Sequence, residues 1–187
     1  MTRVIAASAL ALSLLALASL ALAHEGARYG IEIGAGIDEV SIGDTVEDVE
    51  RAWGEPDLTS NGSLLIWWWF DTGLMVAFLS SEVFMMRAVV ASGDIGTYWG
   101  ATQEGLAIGD SQELALELYG EPEEVEDSYY SDEEHGEIFL GATWRYRTKG
   151  FSVSIDPSGK VDSITVTAPR VPESVEAGSW GRIKAAF

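Results

Sequence analysis

Residues 64–91 carry long apolar runs broken by turn residues and divide into three expected strands, 64–70, 74–79 and 83–91. Asp71-Thr72-Gly73 supplies the first turn. A second set is expected at 138–147, 150–156 and 161–168, with Asp156-Pro157-Ser158-Gly159 as a turn. Helical spacing precedes each set. Val46, Val49 and Trp53 fall on one stripe. Asp44 and Asp110 are N-cap candidates, with Glu47 and Glu113 as capping-box partners three residues on. Gly54 and Gly120 suit the helix ends, and Pro56 and Pro122 follow as stops.

The two patterns repeat each other. Residues 34–57 and 100–123 align without a gap at an offset of 66. Gly34, Ile42, Gly43, Asp44, Gly54, Glu55 and Pro56 recur as Gly100, Ile108, Gly109, Asp110, Gly120, Glu121 and Pro122. The expected fold is α+β: two tandem repeats, each a short helix packed on an antiparallel β-meander, with one sheet face open. The expected segments are a signal peptide at 1–23, a first repeat at 24–92, a second at 93–168 and a tail at 169–187.

Three consecutive tryptophans, Trp67 to Trp69, pose the central question. Successive strand side chains point to opposite faces, so Trp68 faces away from its neighbours. On one face the two sets are alike: Trp67, Trp69, Leu74, Val76 and Phe78 match Trp144, Tyr146, Phe151, Val153 and Ile155. That face is the expected core. On the other face the sets differ. The first shows Ile66, Trp68, Phe70, Met75, Ala77, Met85 and Val89; the second shows Thr143, Arg145, Arg147, Ser152, Ser154, Ser163 and Thr167. An apolar patch of this kind needs a cover or a partner. The cover could be the tail, through Trp180, Ile183 and Phe187. The alternatives are a protein-binding or self-association surface, rich in the aromatics and methionine such patches favour, or a sugar-binding platform.

Composition narrows the classes. The run Val4–Ala23, with Arg3 before it and Ala21-Leu22-Ala23 at its end, reads as a secretory signal peptide cut after Ala23. The rival reading is a retained anchor. The expected location is secreted or periplasmic, with no span left after cleavage. The formal net charge is −19. A chain this acidic repels nucleic acid and anionic lipid. With no cysteine, thiol catalysis, thiolate-bound metals and a lipid-anchoring cysteine are excluded.

The unit Ile42-Gly43-Asp44-Thr45, then Trp53-Gly54-Glu55-Pro56, then a tryptophan strand and the strand beginning Gly73-Leu74, resembles the BamE/SmpA (SmpA/OmlA-like) family. It is similar also to β-lactamase inhibitory protein, a tandem pair of such units. The resemblance implies helices on one side of an antiparallel sheet and a free side that binds proteins. It departs in two ways: those single units are lipid-anchored, and the inhibitor carries disulfides.

No catalytic residue is expected. There is no nucleophile elbow and no P-loop, and Asp44 and Asp110 read as caps rather than a catalytic pair. The nine carboxylates between Glu121 and Glu137 read as a solvated hairpin without calcium-loop spacing. His24 would become the amino terminus after cleavage and could chelate copper with His135; no other metal set is expected, and no cofactor. The sequence thus points to a non-enzymatic protein-binding module. Its expected site is Ile66, Trp68, Phe70, Met75 and Met85, flanked by Arg145 and Arg147. The expected partner is another envelope or secreted protein, or a second copy in a homodimer. Two alternatives stand beside it: a copper-binding or redox protein using His24, and a structural envelope protein whose patch is covered.

Overall fold

A computed structural model describes residues 29–62, 64–93, 95–132 and 136–170. In chain order the elements are β1 (Tyr29–Glu32), β2 (Gly36–Ile37), β3 (Val40–Ser41), α1 (Val46–Trp53), β4 (Leu58–Asn61), β5 (Leu65–Trp69), β6 (Leu74–Leu79) and β7 (Glu82–Val89). Then come β8 (Ala101–Thr102), α2 (Gln112–Tyr119), β9 (Glu124–Asp132), β10 (Gly136–Tyr146), β11 (Phe151–Ile155) and β12 (Val161–Thr167).

Eight strands form one antiparallel sheet in the order β4-β5-β6-β7-β12-β11-β10-β9. The seam is β7 against β12, with Arg87 opposite Thr165 and Ala88 opposite Ile164. Four short strands form a second sheet, β3-β2-β1-β8, in which β1 runs parallel to β8. The α+β expectation of two helix-on-meander repeats is therefore corrected. The described residues are mostly β, 51% strand and 12% helix, in two sheets with two helices. The seam is the physical reason: it joins the two strand sets into one continuous sheet. Residues 30–36 read as a strand and turn, as β1 bears out, but the rest of the small sheet was missed, because strands of two residues carry no readable period and β1 meets β8 only through a non-local pairing.

The core lies between one face of the large sheet and a layer holding both helices and the small sheet. One cross-strand row on this face reads Trp67, Val76, Met86, Val166, Phe151, Tyr146. Ile31, Ile37 and Val40 reach it from the small sheet, Val49 from α1 and Ala115 from α2. Trp69 packs edge-on against Trp53 of α1, with ring centroids 5.2 Å apart. Tyr146 stacks on Phe151 at 4.6 Å; burial pushes its phenol up to about 12.

The helices start one residue later than expected. Thr45 caps α1 in a capping box closed by Asp48, and Ser111 caps α2 by accepting from the Leu114 amide. Asp44 and Asp110 brace the preceding turns instead, accepting from the amides of Ser41 and Ala107 at 2.7 Å each. Both helices end where a large ring ties down a carbonyl: Trp69 Nε1 donates to Gly54 O, and Tyr146 Oη donates to Gly120 O.

Candidate functional site

The second face of the large sheet carries neither helix. One cross-strand row spans all eight strands: Leu58, Trp68, Met75, Arg87, Thr165, Ser152, Arg145, Glu124. The row is apolar at one edge, cationic in the middle and anionic at the other edge. A parallel row reads Ile66, Ala77, Met85, Thr167. Ile66, Trp68 and Met85 are half-buried, as is Phe70 just past β5. Met75 is buried, with only 4% of its surface exposed, and lies outside the main core cluster. It stands between Trp68 and Arg87 in the register.

The structure describes seven lysines and arginines. Four of them, Arg87, Arg145, Arg147 and Arg170, line one groove of about 580 Å³ on this face. The other three are engaged elsewhere. Arg51 pairs with Asp48, Lys149 donates to Tyr119 O, and Lys160 donates to Gly109 O. A chain of strongly negative charge thus concentrates most of its described positive charge at one place.

The four arginines are not equally engaged. Arg145 bonds Glu124 at 3.1 Å and Glu126 more closely, and Arg147 also pairs with Glu124. The Glu126 contact holds the Arg145 guanidinium above its ordinary value. Arg87 donates through Nε to Thr165 Oγ1 at 2.9 Å. Burial lowers it from the ordinary arginine value, against the pull of nearby Asp162. Among the described residues, Arg87 has no carboxylate in ion-pair contact and neither has Arg170.

Arg87 also borders a second hollow of about 300 Å³, lined with Trp68, Val89, Ser154, Asp162 and Ser163 among others. Asp162 is the extra residue where β12 slips against β11, because Ser154 faces Ser163 while Ile155 faces Val161. Its Oδ1 is buried with no hydrogen-bond partner, and burial raises its carboxyl above the ordinary range.

Every residue expected for a binding face, Ile66, Trp68, Phe70, Met75, Met85, Arg145 and Arg147, lies on or beside this surface. Sequence reasoning missed Arg87 and Arg170. Arg87 was read only as part of an apolar strand, though its alternation with Met85 and Val89 places it on this face. It also missed Trp99, which is 86% exposed in the segment after β7. His24, His135 and the tail residues Trp180, Ile183 and Phe187 lie outside the described residues. Among the described residues, no group of three or more His, Cys, Asp or Glu is placed to hold a metal. No described helix is long and apolar enough to cross a membrane.

No protein-family model matches the chain, and no curated protein matches it. Solved structures similar to it include an extracellular SCP-domain protein from Bacillus anthracis, at TM-score 0.45 and 10% identity over 68% of this chain and 44% of that one. A DUF4309 family protein, YjgB, from Bacillus subtilis is similar at TM-score 0.47 and 15% identity, over 72% of this chain and 88% of that one. A cysteine-rich secretory protein from Staphylococcus aureus is similar at TM-score 0.44 and 10% identity, over 68% of this chain and 43% of that one. The chain thus spans under half of two of these proteins. The expected BamE/SmpA-type and β-lactamase-inhibitor-type resemblance is corrected by these findings. Its short signature, Ile-Gly-Asp followed by Gly-Glu-Pro, marks turns and helix ends, which many folds need for the same local reasons.

Proposed function

We infer that this protein is a non-enzymatic binding module that acts outside the cytoplasm, after signal-peptide removal, and grips an acidic protein segment bearing apolar side chains. The observation that carries this reading is the row Trp68, Met75, Arg87, Thr165, Ser152, Arg145, which sets an apolar shelf directly beside a cationic groove. Aromatics, methionine and arginine are the side chains that protein interfaces enrich. Carboxylates of the partner meet the arginines, whose planar forks suit bidentate pairing. Its apolar side chains meet Trp68, Phe70 and Met85. Four arginines in a chain of net charge −19 supply the charge complementarity that selects such a partner.

The test uses a short fluorescein-labelled peptide of alternating Glu and Tyr, followed by anisotropy at low salt. Wild type binds it, and binding weakens at least tenfold, about 1.4 kcal/mol, in Trp68→Ser/Phe70→Ser and in Arg147→Glu/Arg170→Glu. Equal binding by wild type and both variants, or none by wild type diluted until it sediments as a monomer, overturns the reading.

A further inference from the structure

The β9–β10 hairpin outgrows the sheet. β10 pairs with β11 only over Ala142–Tyr146, while its residues from Gly136 to Gly141 pair with β9 alone. Ser128–Asp132 and Gly136–Leu140 therefore form a two-stranded arm, about 17 Å long at 3.4 Å per residue. Gly141 sits at its root. A Cβ there would lie 2.3 Å from Ile155 O, and its φ of 127° is one that side chains rarely adopt. Leu140 is the extra residue of a bulge at the same point, which bends the strand.

The arm is apolar on both faces. Tyr129 pairs with Phe139 on one, their rings 5.5 Å apart, and Tyr130 pairs with Ile138 on the other. All four, with Leu140, are 40–53% exposed. A lone two-stranded ribbon is marginal in water, and exposed apolar pairs on both sides mark a surface meant to be covered. Acidic groups stand among them. Asp127 approaches Tyr129 Oη, and its charge raises that phenol above its ordinary value; Glu137 lies on the opposite strand.

This is the chemistry the arginine groove takes. The base of the same strand already demonstrates the match, since Glu124 and Glu126 hold Arg145 and Arg147 within one molecule. The arm leaves the sheet at the end where Ala142, Ile155 and Val161 lie, whereas the groove opens toward Arg147, Thr167 and Arg170 at the other end. Two copies laid face to face with strands antiparallel bring each arm to the partner's groove. That arrangement is self-complementary and closes as a two-fold dimer.

We propose that the β9–β10 arm docks into the arginine groove of a second copy, making the protein a reciprocal-arm homodimer. This rests on the groove reading above and names its occupant. Sedimentation of the purified protein tests it. Wild type sediments as a dimer at low salt and dissociates in 1 M NaCl, where the screening length falls to about 3 Å. Tyr129→Ser/Phe139→Ser, which alters only exposed side chains, and Arg147→Glu/Arg170→Glu each weaken dimerisation at least tenfold. Mixing those two variants restores a dimer, because one supplies an intact groove and the other an intact arm. A monomeric wild type, a dimer indifferent to both variants, or a mixture that stays monomeric overturns the proposal. The Glu-Tyr peptide separates the two readings. A monomer that still binds it through the arginines removes only the self-docking, whereas loss of both removes the groove reading as well.

Discussion

The two halves of the large sheet, β4–β7 and β9–β12, share a core face and differ on the open one. Across the seam, corresponding core positions agree: Val76 answers Val153, and Trp69 answers Tyr146, each tying down a helix end. On the open face, Trp68 answers Arg145, Met75 answers Ser152, and Arg87 answers Thr165, by their places in the row. Burial against the helices and the small sheet favours apolar groups and rings whose polar atoms are hydrogen-bonded, which keeps the core faces alike. The second face buries Met75, Ala77, Ser163 and Thr165 but leaves Trp68, Arg87 and Arg145 half-exposed, so polar and charged groups are tolerated there. There the residues divide into an apolar shelf and a cationic groove.

Breaking the shared core should have the largest effect. Trp69→Ala removes a buried ring packed against Trp53 and Trp67 and should cost about 3–5 kcal/mol in urea unfolding. Trp68→Ser, one residue away on the half-buried open face, should cost about 1–2 kcal/mol. Equal losses would mean that both faces are core. Met75→Ala tests the shelf from beneath. Met75, 4% exposed, is more buried than Trp69 at 7%, so a loss of about 2–3 kcal/mol is expected, well above that for half-buried Met85→Ala.

The polar half should respond more in binding than in stability. Arg145→Met breaks two partly exposed ion pairs and should cost no more than about 1 kcal/mol of stability, measured as a urea midpoint shift. Peptide binding at the groove should fall at least tenfold.

The smallest effect sharpens the comparison at the seam. Burial raises the Asp162 carboxyl, so the folded protein holds that proton more tightly than the unfolded chain. Stability from this group falls as pH rises from the ordinary value of 3.8 through the raised folded value, and stays lower beyond it. Asp162→Asn should therefore raise the melting temperature at pH 7 by about 1–3 °C and leave it unchanged near pH 3. A lower melting temperature at pH 7 would mean that attraction to Arg87 outweighs the burial.

Local chemistry was legible in the residues themselves. Gly54 and Gly120 close the two helices as expected, their starts fall one residue later than expected, at Thr45 and Ser111 rather than Asp44 and Asp110, and strict alternation separates Trp67 and Trp69 from Trp68. These features depend on neighbours within a few residues, so the sequence by itself determined them. It also placed Arg145 and Arg147 on the open face. Only the tertiary structure decided that β7 pairs with β12, that β1 finds β8, and that Arg87, Arg145, Arg147 and Arg170 meet in one groove. The acidic segment was expected as a hairpin, and only the tertiary structure decided that its outer part stands clear of the sheet. Those outcomes rest on contacts between segments far apart in the chain, where hydrophobic burial favours closing the core but no local period says which edge meets which.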